Sequence, residues 1–301
     1  MKLLALLIGL IVERLATQLF HLRRLPWLDR AIDFGFRQAS RVPTWPAVIP
    51  VTLLALILIA PVLIVRFGLG DVWFGFPYLI LAIVVLFFSL GPKDIGEDVQ
   101  EYCRAVEAGD AKQIAATAKA ITEADIPEDD TSRTREVEQS VCVQANNRLF
   151  AVVFWFVLLG PVGAWGYRVT DLVRRRAVFN AMRDDVPCDA SLVEASETIH
   201  GWLAWIPARL TAIGYAMAGS FDGALTAWRQ RDEGETTSSH EHSERLLARV
   251  GTGALALRDL DDESAAERAI RGATAANGLV YRQLFIWAAV IGAMTLYGWS
   301  L

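Results

Sequence analysis

VIPVTLLALILIAPVLIV (48–65) and VWFGFPYLILAIVVLFFSL (72–90) run with almost no charge. At 1.5 Å per helical residue each is about long enough to cross a hydrocarbon core of roughly 30 Å, a length that buried helices of soluble proteins rarely need. Leu279 to Trp299 repeats the pattern apart from Arg282. The bulk composition agrees: 301 residues would suffice for two soluble domains, but 53 % hydrophobic residues and a mean hydropathy of +0.33 are too apolar for that class. The expected fold is all-α, a multi-pass helical membrane protein with a helical cytoplasmic portion, seated in a bacterial-type inner membrane with the lipid bilayer as its first partner.

Lys2 followed by Leu3 to Val12 has the look of a secretory signal, but Glu13 and Arg14 interrupt the run where a small-x-small cleavage site would be needed. An acid at that depth is costly in lipid. Glu13 either faces other helices or water, or marks with Arg14 the end of a short helix. Phe150 to Gly166 is a fourth apolar stretch, and Trp202 to Ala218 a fifth that carries Pro207 and Arg209.

Orientation follows from the Lys/Arg content of short connections. Arg23, Arg24, Arg30, Arg37 and Arg41 place the first connection inside, the Arg66 to Asp71 turn falls outside, and Lys93 to Arg148 returns to the cytoplasm. A full crossing by 150–166 would strand Arg168, Arg174, Arg175, Arg176 and Arg183 outside. The preferred resolution is a break at Gly160, Pro161 and Gly163 that turns the chain back; the other is a return crossing by 202–218. The resulting parts are N-terminal transmembrane helices (1–92), a cytoplasmic helical region (93–148), membrane-embedded segments with a basic amphipathic connection (149–218), a polar cytoplasmic region (219–278) and a C-terminal transmembrane helix (279–301).

The polar part reads as helix. Ile95, Val99, Tyr102 and Val106 recur at helical spacing, and Gly109 with Asp110 stops that helix and caps the next. From Thr134 the pattern runs unbroken into Phe150. Ser191 and Glu194 read as a capping box, and Arg229 to His242 as a loop. Cys103, Cys142 and Cys188 are far apart in cytoplasmic segments and are expected to be reduced thiols. His240, Glu241, His242 and Glu244 match no helix-borne zinc spacing and read as solvated, so no metal site is expected. Phosphate-loop, dinucleotide and nucleophile-elbow motifs are absent, and a net charge of −5 argues against nucleic acid.

Polar groups gather instead at the edges of apolar stretches: Glu13 and Arg14; Asn146, Asn147 and Arg148; Tyr167 and Arg168; and Pro207 with Arg209. A guanidinium one turn into an apolar helix needs a partner or an anion for its planar fork of donors. Arg209 is therefore expected in a polar cluster with an acid from another segment, Glu13 first.

The order Glu13-Arg14-Leu15, Glu107-Ala108-Gly109-Asp110, Phe154-Trp155, Gly160-Pro161-Val162-Gly163-Ala164, Tyr167-Arg168 and Ile206-Pro207-Ala208-Arg209-Leu210-Thr211 resembles the CobD/CbiB superfamily of membrane cobinamide-phosphate synthases, and within it the AmpE family. The resemblance implies an inner-membrane helical protein and, for AmpE, a regulatory link to β-lactamase induction and cell-wall recycling. The chain departs from the synthases where their acidic motifs lie. Glu13 is followed by Arg14-Leu15 rather than Gly-Asp-Pro, a Gly-Arg-Asp is reduced to Glu123-Ala124-Asp125, and an Asp-Asp becomes His200-Gly201. Carboxylates that ATP-dependent ligation would use for Mg²⁺ and proton handling are mostly missing. The expected role is an accessory or signalling function that needs no cofactor, with Glu13, Arg14, Asp125, Asn146, Asn147, Arg148, Tyr167, Arg168, Pro207 and Arg209 as candidate contacts to an anionic cell-wall-derived or nucleotide ligand. The alternative is an ATP/Mg²⁺-dependent ligase using Glu13, Asp125 and Arg209.

Overall fold

A computed structural model describes residues 26–41, 45–69, 76–90, 94–122, 126–182, 189–230, 239–258, 260 and 262–297. Glu13, Arg14, Asp125 and Cys188 lie outside these residues. All regular structure among the described residues is helical.

The amphipathic α1 (Pro26–Ala39) buries Leu28, Ile32, Asp33 and Phe36. The first apolar segment is α2 (Val48–Leu69), 22 residues and about 33 Å long. Only 22 % of its most apolar window is buried, and Ile57, Ile64 and Phe67 point outward. A core helix of a soluble protein would show the reverse, so this is apolar surface that asks for a covering medium. A second apolar helix, α3 (Phe76–Ser89), packs beside it.

The polar region folds as its caps dictate. Asp94 accepts from the Gly96 N–H at the start of α4 (Ile95–Ala108), and Gly109, at φ +68°, ends that helix in the left-handed conformation open to glycine. Asp110 then accepts from Lys112 and Gln113 to open α5 (Ala111–Thr122). Asp129 caps α6 (Asp130–Ala145) through Ser132. Beyond Ala145 the helix makes one π turn (Asn146–Phe150) and continues as α7 (Ala151–Leu159), a 30-residue rod that is 72 % buried in its apolar window.

The chain reverses at Gly160, φ +71°, and returns along α7 as α8 (Pro161–Ala181). A Cβ at Gly163 would come within 2.4 Å of the Trp155 carbonyl oxygen, so the hairpin closes only around glycine. This is the turn-back expected from Gly160, Pro161 and Gly163.

Next comes α9 (Ala190–Ala218), 29 residues long and continuous through Pro207. Its cap is Asp189, which accepts from the Leu192 N–H at 3.0 Å; the expected Ser191–Glu194 box does not form, because Ser191 donates to that same Asp189. A short α10 (Phe221–Arg229) precedes α11 (Ser239–Leu255). The reading of Arg229 to His242 as a loop is corrected at its end, where Ser239 to His242 form the first turn of α11. A capping box does occur at Ser264–Glu267, opening α12 (Ala265–Leu296), which runs 32 residues through the change from polar to apolar sequence near Leu279.

Three apolar clusters hold the helices together. One joins α4–α6 with α9–α12 through Val99, Tyr102, Ile121, Val141, Tyr215 and Leu247. A second joins α1, α2 and α8 through Phe36, Leu58 and Val169. The third joins α3, α7 and α8 through Leu86, Phe156 and Tyr167.

Candidate functional site

The π turn sets up the site. An extra residue in one helical turn shifts the side chains that follow and is found mostly where function or tertiary contact demands it. Here Asn146 and Asn147 are both buried. The Asn146 amide donates to Asn147 Oδ1 at 3.1 Å and accepts from the Thr211 hydroxyl at 2.9 Å. Asn147 donates to Glu244 Oε1 at 3.1 Å, and the Tyr167 hydroxyl donates to Asn147 Oδ1 at 3.4 Å. Residues from α8, α9 and α11 thus meet on two adjacent amides, at the point where the apolar clusters abut.

Arg148 points to a neighbouring pair. It donates to Asp98 at 2.9 Å and to Gln144 Oε1 at 3.2 Å in buried surroundings, and to the Ala120 carbonyl at 3.3 Å where the bond is part-buried. Gln144 in turn accepts from Arg175 at 3.4 Å. On the α8 side, Asp171 has no exposed surface and receives Arg168 at 2.9 Å, Arg174 at 3.3 Å and Arg175 at 2.9 Å. The spacing i−3, i+3, i+4 places all three guanidinium groups on the face of the carboxylate. At the far end of α8, Arg176 and Asn180 bind Asp33 of α1, with the Arg176 fork bidentate at 2.7 and 2.5 Å. The Arg176 guanidinium holds the Asp33 carboxyl below the usual carboxylate range.

Two histidines complete the cluster. His200 of α9 is fully buried between Tyr167, 5.0 Å away between ring centroids, and His240 of α11, 5.2 Å away. Gly201 makes this possible, since a Cβ there would stand 2.7 Å from the His240 backbone nitrogen. His240 Nε2 lies 3.3 Å from Glu244 Oε1, one helical turn on. Burial pushes the His240 imidazole down to about 4, so it is neutral at neutral pH.

Among the ten residues expected at a ligand site, Asn146, Asn147 and Tyr167 are in direct contact, Arg168 joins through Asp171, and Arg148 stands beside them through Gln144. Pro207 is buried on the inner stripe of α9 with Ala204, Ala208 and Thr211. The acid expected first for Arg209, Glu13, lies outside the described residues. Among the described residues Arg209 meets no carboxylate; it stacks on Trp205, 3.9 Å from the ring centroid, and donates to the Trp205 carbonyl. Helical phase explains this, because at 100° per residue a position directly after buried Ala208 turns off the stripe set by 204, 208 and 211. Composition alone had hidden Asp171, Arg174, Arg175, His200, His240 and Glu244. The Arg168-x-x-Asp171-x-x-Arg174-Arg175 spacing and the His240-x-x-x-Glu244 spacing were the available signals.

The family described as "Regulatory signalling modulator protein AmpE" matches residues 1–300. The chain belongs to the AmpE family. Curated relatives of this AmpE-family chain are cobalamin biosynthesis proteins. The CobD of Stutzerimonas stutzeri (strain A1501) is 28 % identical over 197 residues, 65 % of this chain and 59 % of that protein. The CobD of Chromobacterium violaceum is 25 % identical over 152 residues, 50 % and 47 % of the two chains. This AmpE-family chain therefore spans about half the length of the curated relatives it matches. No solved structure matches it.

Proposed function

We propose that this AmpE-family protein is a multi-pass inner-membrane signalling protein that modulates β-lactamase induction and the cell-wall stress response. In this reading the cluster at the π turn senses an anionic cell-wall-derived or nucleotide ligand without synthase chemistry. The observation that carries it is the convergence of Asn147, Tyr167, the Arg168/Arg174/Arg175 group and His200 on one buried spot, rich in fixed donors. The outward apolar face of α2 supports the membrane placement, and the basic content of α8 supports a cytoplasmic position for that helix.

The relatives' names favour a second reading, a Mg²⁺- and ATP-dependent ligase. The fully buried acid of the cluster fits that group poorly: Asp171 is held by three arginines, which leaves it no open oxygen for a metal. Two experiments decide. Asn147→Ala in a strain with an inducible chromosomal β-lactamase should alter induction at unchanged protein level; unaltered induction would overturn the signalling role. Mg²⁺-dependent ATP consumption that rises with a cobyric-acid-like acceptor would restore the enzyme. For orientation, a cysteine at exposed Met182 should escape impermeant reagents in intact spheroplasts.

A further inference from the structure

Trp202, Trp205, Ile206, Leu210, Ile213 and Met217 are exposed along one side of α9, at the three- and four-residue steps of a single helical stripe. Arg209 is the only charged residue from Trp202 to Met217. The opposite side is buried, with His200, Ala204, Ala208, Thr211 and Tyr215 inward. What lies against that side decides how the helix sits. Polar α11 runs beside α9 along its own length: a Cβ at Gly201 would stand 2.7 Å from the His240 backbone nitrogen, and the Ser220 N–H donates to the Ala254 carbonyl at 2.7 Å. Glu241 and Arg245 pair on the exposed side of α11. Were α9 to cross the bilayer, it would carry that ion pair into hydrocarbon, where charge is costly. The two ends of α9 agree. Leu192 and Ala195 share an apolar cluster with Phe36 of α1, in the arginine-bearing first connection, and the Ala218 carbonyl accepts from Arg282 at 2.8 Å, where α12 passes from polar to apolar sequence. Lys/Arg content puts both levels on the cytoplasmic side.

We propose that α9 does not cross the membrane but lies in the plane of its cytoplasmic leaflet, with the Trp202 to Met217 stripe against lipid at the boundary of headgroups and acyl chains and α11 as its cytoplasmic cover. This rests on the inner-membrane placement above and adds the surface that meets the bilayer. Lipid is the occupant because the stripe continues outward apolar surface at both ends. Trp155 of α7 donates to the Leu203 carbonyl at 3.1 Å, one turn before exposed Leu158 and Leu159, and Gly214 and Ala218 meet Gln283 and Arg282, just before exposed Phe285 of α12. Tryptophans beside an arginine suit that boundary, the rings among the chains and the charge drawn to the headgroups.

The test uses the full chain in lipid bilayers with Cys103→Ser and Cys188→Ser, since Cys142 has no exposed surface. Spin labels attached through Trp202→Cys, Ile206→Cys, Leu210→Cys, Ile213→Cys and Met217→Cys are relaxed by oxygen, which concentrates in acyl chains, and by a water-soluble nickel chelate. Ile57→Cys on α2 is the lipid reference and Lys112→Cys on α5 the water reference, both side chains being exposed. Oxygen should outweigh nickel at all five positions, at a similar depth that is shallower than Ile57. Ser191→Cys and Asp222→Cys should both react with an impermeant thiol reagent in inside-out vesicles and not in intact spheroplasts. Every replaced side chain on the stripe is exposed, so failure to fold at one position leaves the others to decide. Nickel relaxation on the stripe equal to that at Lys112, or loss of relaxation by both agents as beneath a second copy, would overturn lipid as the occupant. Labelling of either end in intact spheroplasts would restore a crossing. Ile57 in water would remove the membrane placement itself and this inference with it.

Discussion

Arg148 with Asp98 and the Asp171 cluster lie on either side of Gln144, both buried, yet they are built differently. Asp98 meets Arg148 at 2.9 Å, and Arg148 spends its other donors on Gln144 and the Ala120 carbonyl. Asp171 instead anchors three guanidinium groups, and Arg174 keeps a buried N–H without an acceptor. A matched pair is a structural solution: each charge answers the other and little is left to recruit a ligand. An over-supplied carboxylate keeps donors in reserve, and it stands beside the two histidines rather than beside the α4–α5 core. The difference separates a brace from a site within one polar layer.

The largest effect should come from Asp171→Ala. Removing one partner of a buried pair costs roughly 3–5 kcal/mol, and here three cations lose their shared anion together. Folded yield and thermal stability in detergent should drop further than in any other single variant of the cluster. If Arg148→Met proved more damaging, the assignment of brace and site would have to be exchanged.

Arg148→Met should itself cost roughly 3–5 kcal/mol by leaving Asp98 buried and charged, and adding Asp98→Leu should recover much of the loss, since an apolar pair of similar volume can replace a buried ion pair. Arg168→Met should cost less than Arg148→Met, because Asp171 keeps two guanidinium partners. Chemical unfolding of the four variants checks the order. Equal losses for Arg168→Met and Arg148→Met would erase the distinction between shared and matched partners.

The histidines give a pH test. His240 titrates near its ordinary 6.5 when unfolded and at about 4 when folded. Between those values the unfolded chain binds a proton that the folded chain does not. Stability from this group is full above about 6.5 and declines as pH falls toward 4, by roughly 3 kcal/mol across the window. Glu197, whose carboxyl burial pushes up, works in the opposite sense. The informative quantity is therefore the difference between the wild type and His240→Gln in thermal unfolding between pH 7 and 4.5. The variant's profile should be flatter on acidification; identical slopes would mean that the imidazole is not sequestered.

How far the sequence reached follows the physics of each feature. Charge-free runs, the Gly109–Asp110 stop and cap, and the Gly160-Pro161 reversal are local signals, and each appears where its residues predict. The unbroken pattern from Thr134 to Phe150 appears too, as the rod α6–α7. The π turn inside that rod has no local signature, because it arises from the need of Asn146 and Asn147 to meet Thr211, Tyr167 and Glu244 from distant segments. His240 looked solvated because its neighbours are polar. What buries it is Gly201, 39 residues earlier, which lets the α11 backbone come close. Arg174 and Arg175 were legible as charge for orienting the chain, and their shared carboxylate became evident only with helical phase.

The smallest effect tests a residue that the sequence singled out. Arg209 belongs to the Ile206-Pro207-Ala208-Arg209-Leu210-Thr211 block of the family resemblance and is expected from the sequence to need an acid. In the structure its guanidinium lies over Trp205 at the edge of an outward face that includes Trp202, Ile206, Leu210 and Ile213. A cation over an indole contributes about 0.5–1 kcal/mol where water still reaches it, and the bond to the Trp205 carbonyl is local to one helical turn. Long basic side chains on such faces bury their stems and carry the head toward polar surroundings, so truncation removes packing as much as charge. Arg209→Ala should therefore shift thermal stability by no more than about 1 kcal/mol, well below Asp171→Ala, and Arg209→Lys should restore little because an ammonium lacks the planar stacking surface. A loss as large as that of Asp171→Ala, suppressed by a compensating change at Glu13, would show that Arg209 is one more paired arginine and would return it to the polar layer.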